Sequence, residues 1–213
     1  MAITVGGTNI TMNDSTVQAT AYVGGPRGQA FTTAGSGQTF TIPAGITAIK
    51  ATVVGGGGGG GSGGAGAAGG CTISYFTGLT PGATISVTVG AGGNGSTAIG
   101  SSGGTSSISS GTQTITTRSA TGGGGGAQYT GGNVGASGGA GSGGTLNFNG
   151  CGAGLGQANP GANSIFGGGG RGTSSATAGA AGAPGAGGGG AWQVGCLNYS
   201  GGAGAAGIVL FEW

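Results

Sequence analysis

The chain has 213 residues, 65 of them glycine, with 3% charged residues and a formal charge of +2. Ordinary disorder pairs low hydrophobicity with high net charge, and a mean hydropathy of +0.20 does not fit that pattern. Four scattered cations and the lack of any apolar run near the roughly 20 residues that span a bilayer argue against nucleic-acid binding and membrane insertion.

In chain order, residues 1–23 read as short alternating β segments around an Asn13-Asp14-Ser15 turn, and Gly24-Gly25-Pro26 as a turn or linker. FTIPAGITAIKATVV, residues 40–54, holds two strand sequences about Pro43-Ala44-Gly45. A glycine block over 55–70 follows. CTISYF and TISVTV then read as strands joined by GLTPGA, and residues 106–118 carry β character anchored by Ile108 and Ile115. From Gly122 to Gly207 glycine blocks are broken by AQYTGGNV, TLNFNGC, NPGANSIF, RGTSSAT and AWQVGCLNYS, and the chain closes on the apolar strand GIVLFEW. No helix-period segment is present. The expectation is an all-β fold with two parts: a short N-terminal β segment and linker over 1–37, and a glycine-rich unit over 38–213.

The glycine blocks carry a period. Gly57, Gly60, Gly63, Gly66 and Gly69 form one run, Gly132 to Gly144 another, Gly179 to Gly188 a third and Gly201 to Gly207 a fourth. Collagen would need this spacing without interruption and abundant proline, and only five prolines occur. A polyproline-II-type helix has three residues per turn, so each run lays a bare stripe along one side. Buried amides need partners, and these segments lack side chains to supply them. Packed polyglycine-type helices bonded to one another meet both demands. At about 3.1 Å per residue the Gly132–Gly144 run would reach roughly 40 Å.

Little catalytic chemistry is on offer. Histidine is absent, and Asp14 and Glu212 lie at opposite ends, so neither a triad nor a carboxylate pair can be assembled from one chain. Glu212 is expected to be half-exposed or paired with Lys50 or an arginine. Cys71, Cys151 and Cys196 have no metal-ligand spacing; they permit one disulfide with a free thiol, or three thiols serving as small apolar side chains. The start MAITVGGTNI has no positive or apolar signal region, so secretion by such a signal is not expected. No enzyme activity, metal or cofactor is expected.

FTIPAGITAIKATVVGGGGGGG, SYFTGLTPGATISVTVGAGG, the repeated glycine blocks and the terminal AGIVLFEW together resemble the glycine-rich tip domain of bacteriophage tail fibres, over about residues 38–213. NITMNDSTVQATA resembles a short piece that precedes phage fibre domains, with Asp14-Ser15-Thr16 in place of the usual Asp-Gly-Thr. The resemblance implies a virion protein made in the host cytoplasm, a homotrimer, and host recognition through distal loops. It also implies attachment to another virion protein through residues 1–37. The bacterial partner would be a surface glycan or an outer-membrane protein.

Glycan recognition uses aromatic faces with amide and hydroxyl groups, and loops on a rigid scaffold are where such groups sit. Tyr129, Asn133, Phe148, Asn149, Arg171, Trp192, Gln193, Asn198 and Tyr199 supply them. The alternative for Trp192 and Phe148 is that they fill gaps in a poor core. Because apolar residues are few, the Phe40–Val54 strands and IVLFEW are expected to pack about a threefold axis. Two other readings stand: a purely structural virion fibre or decoration protein, and an ice-binding bundle of polyproline-type helices.

Overall fold

The structure, a computed structural model, describes all residues except 1–3, 7–8, 12–16, 19–26, 129–134, 155–157, 175–177 and 195–196. At the N-terminus β1 (Thr4–Gly6), β2 (Asn9–Thr11) and β3 (Val17–Gln18) form a small antiparallel sheet. The rest comprises a two-sheet sandwich and a bundle of extended glycine segments growing from one end of it.

The strands are β4 (Gly28–Phe31), β5 (Gly35–Thr41), β6 (Ala48–Val54), β7 (Cys71–Thr77), β8 (Thr84–Val89), β9 (Ser106–Ser110), β10 (Arg118–Ala120), β11 (Gly141–Ser142), β12 (Leu146–Phe148), β13 (Gln193–Val194), β14 (Leu197–Asn198) and β15 (Ile208–Glu212). One five-stranded antiparallel sheet has the order β11-β10-β9-β8-β5, and the other β12-β7-β6-β15-β4. The fold is all-β, with no helix among the described residues. The turns at Pro43-Ala44-Gly45 and Pro81-Gly82 do not close hairpins. Each carries the chain from one sheet to the other, with Gly45 at φ 77° and Gly82 at φ 83°, where a side chain would be strained. β4 lies in the stretch that reads as linker, because GQAF offers no β-branched residue to announce it.

Strand alternation puts Phe40, Ile85, Val87, Val89 and Ile108 on the inner face of the first sheet and Ile49, Ala51, Val53, Val209 and Phe211 on that of the second. Phe40 stacks on Phe211 with centroids 4.0 Å apart, and Phe31 meets Phe211 edge-on at 6.0 Å. On the outer face Glu212 sits opposite Lys50 in register, and their 2.8 Å ion pair holds the Lys50 ammonium above its ordinary pKa. These apolar strands were expected to meet other copies at a threefold axis. Their inner faces are instead used up within one chain, so shortage of core no longer argues for a trimer.

The bundle accounts for the glycine. In segment 55–61 the N–H groups of Gly55, Gly58 and Gly61 donate to Gly70, Ala67 and Gly64; those of Gly56 and Gly59 to Gly104 and Ser101; those of Gly57 and Gly60 to Ala205 and Gly202. Its carbonyls accept with the same period, from Gly123 and Gly126, from Gly93 and Ser96, and from Gly188 and Ala191. All these bonds are 2.8–3.0 Å. Every third residue therefore faces the same neighbour, as three residues per turn requires. Segment 55–61 is bonded to six surrounding segments, three by donation and three by acceptance.

Segments 64–70 and 185–191 are shared in the same way by their own neighbours. A Cβ at Gly57, Gly58 or Gly60 would fall on the carbonyl oxygen of Ala186, Gly124 or Gly189. Glycine is thus a packing requirement here. Where space allows, alanine appears, and Ala65, Ala67, Ala68, Ala153 and Ala162 form a small buried methyl cluster.

Two runs differ from the expectation. The Gly57–Gly69 run is folded in two, turning between Gly61 and Gly64, because a helix confined to the bundle's length must reverse. The Gly132–Gly144 run is no 40 Å helix: Gly141–Ser142 leaves the bundle to pair with β10 in the sandwich, and residues 132–134 lie outside the described set.

Candidate functional site

The bundle has two unlike ends. At one, glycine segments pass directly into strands, as at Val54–Gly55, Gly70–Cys71 and Gly207–Ile208. At the other, segments reverse in loops. Its centre is the turn at Ser62-Gly63, where Gly61 N–H donates to Gly64 C=O at 2.8 Å, Ser62 N–H to Ala98 C=O and Gly63 N–H to Ala127 C=O, both at 3.1 Å. Ala191 N–H closes on Gly61 C=O at 3.0 Å. The residues that follow those anchors therefore emerge around one centre: Ile99 after Ala98, and Trp192 after Ala191.

Trp192 is 39% exposed and Ile99 66% exposed. The Trp192 amide donates to Thr173 C=O at 3.0 Å, which pins the start of the β13–β14 hairpin to the bundle. In that hairpin Gln193 pairs with Asn198, so Trp192 and Tyr199 flank the pair on the two arms. Tyr199 is half-buried. Four residues chosen from the sequence, Trp192, Gln193, Asn198 and Tyr199, are thus brought together. Ser62, at the turn itself, is fully buried, and its Oγ has no partner among the described residues.

The remaining candidates are dispersed. Arg171 is exposed on the bundle flank, its carbonyl accepting from Gly179 N–H at 2.8 Å. Phe148 and Asn149 are exposed at the sandwich end, since Phe148 pairs with Cys71 on β7. They cannot share a ligand-sized site with Trp192. Tyr129 and Asn133 fall outside the described residues. Ile99 was missed; a lone large apolar residue inside GGNGSTAIGSSGG is the signal that could have found it.

Chemically this end offers an indole face, an aliphatic side chain, backbone groups and hydroxyls. Arg171 is the single charged residue between Gly122 and Gly207. The contacts such a surface can offer are apolar ones and neutral hydrogen bonds. Among the described residues no group of three His, Cys, Asp or Glu could hold a metal, and no helix is long and apolar enough to cross a membrane.

Residues 31–213 match the family described as a glycine-rich domain. The chain belongs to that family. No curated protein matches this glycine-rich domain protein. The match spans the sandwich from Phe31 and the whole bundle.

Proposed function

We propose that this chain is the tip of a bacteriophage tail fibre or short fibre, attaching to the host surface through the looped end of its bundle. The observation that carries the reading is the asymmetry of the bundle. One end is welded to a sandwich, and the other presents Trp192 and Ile99 beside the β13–β14 hairpin on a cross-bonded support. A rigid support lowers the entropy lost when loops bind, so a few exposed groups suffice. The ligand chemistry this end suits is an uncharged hydroxylated one with an apolar face, such as a bacterial surface glycan, and an outer-membrane protein loop is the other candidate. Residues 1–37 would join the chain to the virion.

The test is competition. Purified protein is expected to bind host cells in a strain-dependent way and to block adsorption of the phage that carries it. Saturating protein with no effect on adsorption would leave the structural-fibre reading in its place.

A further inference from the structure

Except for Ile99 and Trp192, the large apolar side chains exposed among the described residues gather in one place. They are Tyr75 (60% exposed), Leu146, Phe148, Ile165 and Phe166. The register shows how. On the outer face of the second sheet Tyr75 is level with Lys50 and Glu212, while Leu146 is level with Ile73, Thr52 and Leu210. Phe148 is level with Cys71, Val54 and Ile208. At the bundle end the tight turn closed by Ser164 and Gly167 lies beside Gly185, which packs on Val54, and so brings Ile165 and Phe166 to the rim of the same face. Contiguous exposed apolar surface of this kind marks an interaction site, and nothing in the far-end recognition site uses it.

The face also carries charge in one arrangement only. Lys50 and Glu212 stand side by side, their 2.8 Å ion pair half-exposed, and they leave the patch neutral. A partner bearing net charge finds no counterpart there. A surface with one cation beside one anion, framed by apolar side chains, is complementary to another of the same kind, because each ion can face its counter-ion on the neighbour. We infer that the outer face of the β12-β7-β6-β15-β4 sheet is where copies of this chain associate, with Tyr75, Leu146 and Phe148 as the apolar contact and Lys50 and Glu212 fixing the register. Sheet-on-sheet packing at about 10 Å accommodates such a contact. Association would use the outer faces of the same strands whose inner faces close the core. This inference stands apart from host attachment and is read by mass alone.

The test is sedimentation velocity and native mass spectrometry of the full chain over a concentration series. A species of two or more 19.0 kDa chains is expected. The double variant Tyr75→Ser/Phe148→Ser, altered only at exposed positions, is expected to run at the single-chain mass with the wild-type circular dichroism spectrum and a melting temperature that, unlike the wild type's, does not depend on concentration. Lys50→Glu alone is expected to weaken association, and Lys50→Glu with Glu212→Lys to restore it. Ile99→Ser, at the far end, is expected to leave the mass unaltered. A single-chain mass at every concentration overturns the inference, as does an oligomer indifferent to the Tyr75/Phe148 and Lys50 changes. Should the double serine variant fail to fold, the charge swap and its reversal still decide.

Discussion

Replacing Gly58 by alanine tests the packing argument at its tightest point. A Cβ there would coincide with the Gly124 carbonyl, which is backbone and cannot rotate away. Segment 121–127 must move off segment 55–61. The bonds that hold the two together at this level are Gly123 N–H to Gly56 C=O at 2.9 Å and Gly126 N–H to Gly59 C=O at 2.8 Å. Each buried group left unpaired costs roughly 1–3 kcal/mol, and losing both bonds strands two donors and two acceptors, about 4–12 kcal/mol if none finds another partner. Lower entropy of the unfolded chain returns only about 0.4–1 kcal/mol. The net loss is a large share of the roughly 5–15 kcal/mol that stabilises a typical domain. Gly182 is the control: nothing lies within 4 Å of its would-be Cβ. Gly182→Ala is therefore expected to be neutral or stabilising by up to about 1 kcal/mol. Urea denaturation of both variants measures the difference. Equal midpoints for Gly58→Ala and Gly182→Ala would refute the cross-bonded bundle.

Ala158 holds φ 60°, a conformation costing a side chain about 1–2 kcal/mol, and the freer unfolded chain of a glycine variant takes back about 0.4–1, so Ala158→Gly is expected to raise stability by up to roughly 1 kcal/mol in the same denaturation assay. Cys151 is exposed and Cys71 buried. At pH 8 a thiol reagent is expected to modify Cys151 in the native protein and to reach Cys71 only after unfolding. Burial pushes the Cys71 thiol up from 9.0 to about 11. The unfolded chain thus loses its proton first, and stability contributed below pH 9 is lost as pH rises through about 11. In Cys71→Ala the decline between pH 9 and 10 is expected to be shallower, as melting temperatures against pH would show; the Lys50–Glu212 pair acts only above 10.5. Because the far end is nearly uncharged, cell binding is expected to vary little between 50 mM and 500 mM salt, whereas a steep fall would point to charge-driven adhesion.

Much of the sandwich is legible in the sequence. Alternation marks β7 and β8 and a continuous apolar run marks β15, while Lys50 is one of the partners the sequence leaves open for Glu212 and the β6–β15 register selects it. The partition of those strands between two sheets is not legible, since a Pro-Gly turn looks the same whether it closes a hairpin or crosses a core. The three-residue glycine period announced the bundle. It did not announce the reversal at Ser62-Gly63, because in an all-glycine run the turn residues and the helix residues are the same amino acid. The site was half legible. AWQVGCLNYS stands out, like AQYTGGNV, as an aromatic and amide-bearing insert at a segment end, and the β13–β14 pairing gathers its residues. Phe148 has the same chemistry but belongs to a sheet edge at the other end, and only the pairing with Cys71 reveals that.

Host binding by paired variants tests the central claim most directly. Fluorescently labelled wild-type protein, Trp192→Ala and Thr39→Ala, the last altering an exposed side chain of the sandwich, would be titrated onto a panel of bacterial strains. The account predicts strain-specific binding that Thr39→Ala retains and Trp192→Ala weakens by more than tenfold, the loss of a buried aromatic anchor being worth about 2 kcal/mol or more. Unchanged binding by Trp192→Ala, or no binding to any host of the phage, would contradict recognition by the looped end.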